Sequence, residues 1–132
     1  LGDVYKRQVF TVAQVLEDRD RNGYYDTISA TVYLFDTRYP YSIHADGIFT
    51  FFLTDPETGK QFAKWSIPSA EAAKSQSVTW TGTIYPFQLD LREVGSDRIA
   101  ISEALIACTF SEPGLKPVEC GSRLTILVGK TR

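Results

Sequence analysis

Between the first two extended runs of the chain lies Asp18-Arg19-Asp20-Arg21-Asn22-Gly23-Tyr24-Tyr25-Asp26, the stretch richest in metal-ligating side chains. Oxygen-bearing side chains stand at 18, 20 and 22, a glycine follows at 23, and another acid comes at 26. Calcium takes about six to eight hard oxygen ligands, and oxygens at alternate positions before a sharp glycine turn can curl around one centre. Asp, Asn and Gly are also the ordinary residues of a solvated hairpin loop, so composition alone leaves both readings open. Arg19 and Arg21 dilute the local negative charge. Counting Asp18 as the first position, the twelfth is Ser29, where an EF-hand loop would place its bidentate glutamate. Any calcium affinity is therefore expected to be of the weak, extracellular kind.

Two cysteines, Cys108 and Cys120, lie symmetrically about Gly114, and Pro113-Gly114 is a natural turn. A hairpin pivoting there sets Cys108 opposite Cys120, Phe110 opposite Val118 and Ala104 opposite Leu124. Opposed residues on paired strands have Cβ atoms close enough to permit a disulfide, and an even cysteine count suits an exported chain. The alternative is a pair of buried thiols in a reducing compartment. Zinc lacks the partners it needs, since the chain has one histidine. That residue, His44 in Ser42-Ile43-His44-Ala45-Asp46-Gly47, invites a Ser/His/Asp relay, but adjacency in sequence is not relay geometry and no G-x-S-x-G elbow accompanies it. No glycine-rich phosphate loop occurs either. The expectation is a non-catalytic protein.

The elements that must position these groups read as strands. Thr27 to Asp36 alternates, with Ile28, Ala30, Val32 and Leu34 on one face, as a half-buried strand does. Further runs cover Val9 to Leu16, Ile48 to Thr54 and Gln61 to Ile67, the last two joined by the turn Asp55-Pro56-Glu57-Thr58-Gly59-Lys60. Val78 to Leu91, Arg98 to Phe110 and Cys120 to Val128 complete seven. Pro86 lacks a backbone donor and belongs at an edge or bulge, and a slip of phase near Ser102 and Glu103 predicts a bulge there. Ser69 to Lys74 is the one helix-like patch. Trp65 and Trp80 are assigned to the core. The aromatics Tyr24, Tyr25, Tyr33, Phe35, Tyr39 and Tyr41 crowd the first third of the chain; exposed, they would suit a glycan or protein partner, and otherwise they cover a sheet.

Composition agrees. The 132 residues are 43% hydrophobic and 23% charged, with 17 aromatic side chains and a net charge of −2 from 14 basic and 16 acidic groups. That suits one packed domain and lacks the positive excess of a nucleic-acid or polybasic membrane surface. No apolar stretch approaches the roughly 20 residues of a membrane helix. The expected architecture is all-β: a single antiparallel β-sandwich of about seven strands over residues 9–130, immunoglobulin-like or fibronectin-like, with a small β-barrel as the alternative. The opening Leu1-Gly2-Asp3-Val4-Tyr5-Lys6-Arg7-Gln8 looks like translated adapter sequence, so residues 1–8 are set apart. A signal peptide or lipid anchor upstream of them, and with it membrane anchoring, is compatible with the chain.

Residues 18–26 resemble the D-x-D-x-[DN]-G-x-x-D calcium loops of dockerin and thrombospondin type 3 repeats. That resemblance implies side-chain ligation by Asp18, Asp20, Asn22 and Asp26, and a backbone carbonyl from Tyr24. The order of this loop, Tyr33-Leu34-Phe35-Asp36, Ile48-Phe49-Thr50-Phe51-Phe52-Leu53 and Gly59-Lys60-Gln61-Phe62-Ala63-Lys64-Trp65 resembles uncharacterised bacterial envelope β-sandwich proteins, often lipoproteins. It implies an exported module, periplasmic or extracellular, with a structural or interaction role. The other expectation is a carbohydrate- or ligand-binding module assisted by calcium.

Overall fold

The structure, a computed structural model, describes residues 7–36, 45–72, 77–79, 82–95, 99–114, 116–119 and 124–131. Strands β1 (Arg7–Glu17), β2 (Thr27–Asp36), β5 (Ser77–Thr79) and β6 (Gly82–Asp90) form one antiparallel sheet in the order β1-β2-β6-β5. Strands β3 (Ile48–Thr54), β4 (Gln61–Pro68), β7 (Glu103–Ser111), β8 (Val118–Glu119) and β9 (Leu124–Leu127) form the other, in the order β4-β3-β7-β8, with β9 also on β7. Two single-turn helices, α1 (Ser69–Ala72) and α2 (Leu91–Val94), follow β4 and β6. Read along the chain, the first sheet has the A-B-E-D order and the second the C′-C-F-G order of an immunoglobulin-like sandwich, β8 and β9 sharing the last position. The two sheets stay separate and do not close into a barrel.

Alternation along the strands builds the core, because successive side chains on a strand point to opposite sheet faces. Ile28, Val32 and Leu34 of β2 are fully buried, as are Phe49, Phe51 and Leu53 of β3 and Ala104, Cys108 and Phe110 of β7. Phe49 lies at the centre of an aromatic cluster, its ring centroid 4.8 Å from that of Phe110, 5.0 Å from Tyr85 and 5.2 Å from Phe87. Trp65 is buried as expected, and its indole Nε1 donates to the Asp90 carbonyl at 3.2 Å, tying the edge of one sheet to the end of β6 in the other. Trp80 lies outside the described residues.

Several expectations need correction. Nine strands stand among the described residues in place of about seven. The run from Val78 to Leu91 is two strands, β5 and β6, since its pairing folds back to set Ser77 opposite Ile84 and Thr79 opposite Gly82; Gly82, at φ 119°, takes a backbone conformation that side chains disfavour. The phase slip at Ser102 and Glu103 is the start of β7 and not a bulge within it: Ile99 to Ser102 run irregularly, and the register shifts lie between Gln14 and Leu16 of β1 and at Leu53/Thr54 of β3. Pro86 pairs with β2 opposite Thr31, while β5 reaches only Gly82–Ile84, so the proline sits beyond the end of β5. β1 begins at Arg7 and pairs Arg7 with Asp36 and Gln8 with Phe35, two residues inside the opening segment. α1 covers Ser69–Ala72 of the expected helical patch.

The hairpin after β7 has the expected register where it is described, with Phe110 opposite Val118 and Thr109 opposite Glu119. Further along, Ala104 faces Ile126 and not Leu124. The slip is two residues, which preserves the face each side chain occupies and leaves Ile126 and Val128 buried. Cys120 lies outside the described residues, and so does the expected Cys108–Cys120 pairing; Cys108 is buried on the inner face of β7.

Candidate metal centre

The β1–β2 connection folds around its own acids. Asp26 N–H donates to the Glu17 carbonyl at 2.8 Å and closes the base of the loop. Within it, Arg21 (φ 57°) and Gly23 (φ 88°) both take the left-handed backbone conformation, so the chain curls twice in three residues. Side-chain oxygens hold that curl. Asp18 Oδ1 accepts from Asn22 N–H at 3.2 Å and Oδ2 from Gly23 N–H at 2.8 Å; Asp20 Oδ1 accepts from Asn22 N–H at 3.2 Å. Asn22 Oδ1 in turn accepts from Tyr24 N–H at 2.9 Å. Asp26, fully buried, accepts from the N–H groups of Arg19 (2.9 Å) and Asp20 (3.2 Å) through Oδ2 and from Thr27 Oγ1 (2.7 Å) through Oδ1.

Two elements distant in sequence fasten the loop from outside. The chain after β9 returns past it: Tyr25 N–H donates to the Gly129 carbonyl at 2.9 Å, Thr131 N–H donates to the Gly23 carbonyl at 2.8 Å, and Tyr24 bridges to Lys130. Gly129 makes this passage possible. A Cβ there would lie 2.5 Å from the Ile101 carbonyl oxygen and 2.7 Å from that of Ile99, and its φ of 77° already favours glycine. From the other side, Leu91 N–H donates to the Asp26 carbonyl at 2.8 Å and anchors α2 against the loop. Asp90 caps that helix by accepting from Arg92 N–H at 2.9 Å.

Three acids converge here. One ligand oxygen each from Asp18, Asp20 and Asp26 lie within 4.8 Å of one another, a group that could hold a metal ion. Carboxylate oxygens already engaged by backbone N–H groups retain further lone pairs for a cation. The remaining two expected ligands sit in the same curl, Asn22 with its Oδ1 on the Tyr24 amide and Tyr24 in the bridge to Lys130.

Arg92 is the group that the loop's own spacing does not reveal. Its guanidinium grips Asp90 through Nε (3.1 Å to Oδ1) and Nη2 (3.1 Å to Oδ2), while Nη1 reaches Asp20 Oδ2 at 3.2 Å. Seventy-two residues separate Arg92 from Asp20; the one local signal was an Asp-x-Arg placement at the start of a short helix. The charges respond as geometry dictates. Burial by itself pushes Asp26 up, but the bonds from Thr27 and from the Arg19 and Asp20 amides, with Arg92 nearby, outweigh it and leave this carboxyl below its ordinary value. Asp90 is held low by its hydrogen bond to Arg92. Asp20 moves the other way: desolvation leads, the hydrogen bond with Asp18 and the charge of Asp26 add to it, and the Asn22 amide and Arg92 only partly offset them.

His44, Tyr39 and Tyr41 lie outside the described residues. Tyr24, Tyr25, Tyr33 and Phe35 are all half-buried, with Tyr25 packed against the core. No protein-family model, curated protein or solved structure matches the chain.

Proposed function

We propose that this chain is a non-catalytic, exported immunoglobulin-like module with a structural or interaction role, whose β1–β2 loop takes up calcium. The observation that carries the calcium reading is the convergence of Asp18, Asp20 and Asp26 oxygens within 4.8 Å at one end of the sandwich. Hard carboxylate oxygens in a glycine-containing curl suit calcium better than a softer metal, which would seek nitrogen or sulfur. Arg92 already supplies one positive charge to Asp20, so a cation has to compete with it, which keeps affinity low.

A ligand that binds the folded state alone raises stability by mass action. At calcium about tenfold above the dissociation constant the gain is about 1.4 kcal/mol, or roughly 5 °C in melting temperature for a domain of this size. Melting curves in excess calcium and in chelator are expected to differ by that order, and Asp20→Ala is expected to abolish the difference. Superimposable wild-type curves would remove calcium from the reading.

Export is supported by the β7–β8 register, which is the one expected if Cys108 and Cys120 oppose each other. Thiol titration of the unfolded, unreduced protein is expected to find no free sulfhydryl; two would count against the disulfide and weaken the case for an oxidising compartment.

A further inference from the structure

Asn22 is the sole asparagine in the chain, it is exposed, and glycine follows it. An Asn-Gly pair can react with itself. The Gly23 backbone nitrogen attacks Asn22 Cγ, its proton is relayed through water to Nδ2, the bond from Cγ to Nδ2 breaks, and ammonia leaves a five-membered imide. Water then adds to either imide carbonyl, and the ring opens to aspartate or to isoaspartate. No oxidant or reductant is involved, and glycine favours the attack because no side chain crowds its nitrogen.

In this fold the reacting atoms are engaged elsewhere. The nucleophile, Gly23 N–H, donates to Asp18 Oδ2 at 2.8 Å. The electrophilic amide is held through Oδ1, which accepts from Tyr24 N–H at 2.9 Å. The Asn22 N–H between them donates to Asp18 Oδ1 and Asp20 Oδ1, each at 3.2 Å. Closing the imide ring requires Asn22 Cγ to swing onto the Gly23 nitrogen, which breaks bonds on both sides of the pair. We propose that Asn22 is a spontaneous modification site, converting to aspartate and isoaspartate, and that Asp18 restrains it by holding the attacking nitrogen. Conversion adds a carboxylate beside Asp18, Asp20 and Asp26, and the isoaspartate product also lengthens the backbone at the apex of the loop. The inference does not depend on metal binding.

The test is an incubation of the full chain at neutral pH in chelator, native and in urea, followed by peptide mapping for the mass gain at residue 22 and by isoaspartate detection. With one asparagine present, Asn22→Gln is expected to abolish the mass gain and the isoaspartate in the peptide holding residue 22, which is read apart from the peptide holding Asp46-Gly47. The native chain should react at least about tenfold more slowly than the unfolded one, the factor that one hydrogen bond to a charged acceptor supplies. Asp18→Ala should raise the native rate several-fold and leave the unfolded rate unchanged. Asp18→Asn, which keeps the side-chain volume, should fall between the two. Equal rates in native and unfolded wild type overturn the proposal. So does an Asp18→Ala native rate equal to wild type in a variant whose circular dichroism shows it folded, or an acceleration by Asp18→Ala that is equally large in urea.

Discussion

Phe49→Ala is expected to cost about 4 kcal/mol, the middle of the range for emptying a fully buried aromatic site. Phe49 has no exposed surface, and three aromatic rings stand around it, from β6 and β7 on both sheets. Its removal leaves a cavity that neighbouring rings, already in contact with one another's packing partners, can close only in part. Domains of this size are stable by about 5–15 kcal/mol, so the variant should lose a large share of its margin. Phe49→Leu, which refills most of the space, should cost about 1–2 kcal/mol. The preceding residue supplies the control: Ile48 is 45% exposed on the opposite face, and Ile48→Ala should change stability by no more than about 0.5 kcal/mol. Urea midpoints of the three variants check this, and comparable losses at 48 and 49 would contradict the register of β3.

Asp26→Ala should be the costliest change at the loop, about 3 kcal/mol. One buried carboxylate accepts from two backbone N–H groups and one hydroxyl, and each bond left without its acceptor costs about 1 kcal/mol. The pH dependence follows from the direction of the shift. A carboxyl whose folded pKa lies below its unfolded value stabilises the fold above the unfolded value, near 4, and that stabilisation disappears as pH falls through the folded value. Asp90, held low by Arg92, acts in the same direction; Asp20, shifted up, acts in the opposite one and is relieved by protonation. The gap between wild type and Asp26→Asn should therefore be widest near neutrality and narrow as pH drops below about 4. Denaturation midpoints at neutral and acidic pH measure it. A gap that is constant with pH would mean that the charge of Asp26 contributes nothing beyond its shape.

Much of the sandwich was legible because its information is local. The period of two at 28, 30, 32 and 34, and again at 49, 51 and 53, names a buried face without reference to any partner strand, and those residues are the ones buried. The turn at Asp55 to Lys60 is likewise written in its own residues: Asp55 Oδ1 accepts from Glu57 N–H, and Gly59 takes φ 73°. The legible signal weakened where two strands share one extended composition. Parity does separate a long strand from the tight β5–β6 pairing: the pairing sets position 78 opposite 83 and so places an even and an odd position on one face, whereas a single strand keeps them on opposite faces, and the extended composition of the run masked that break. The two-residue slip between β8 and β9 escaped because a shift of two leaves the inward set inward.

At the acidic loop the division is sharper. Spacing alone determined that Asp18, Asp20, Asn22 and Gly23 curl together, since each bond among them spans five residues or fewer. Only the tertiary structure brought Arg92 to Asp20, the Asp26 carbonyl to the Leu91 amide, and the Gly129 carbonyl to Tyr25. Those contacts join segments that meet because β2 pairs with β6 and the chain after β9 passes the β1–β2 loop. A side chain's local pattern records which way it faces along its own strand. Which distant charge it then meets is set by the order and register of the sheets, and that is a property of the whole chain.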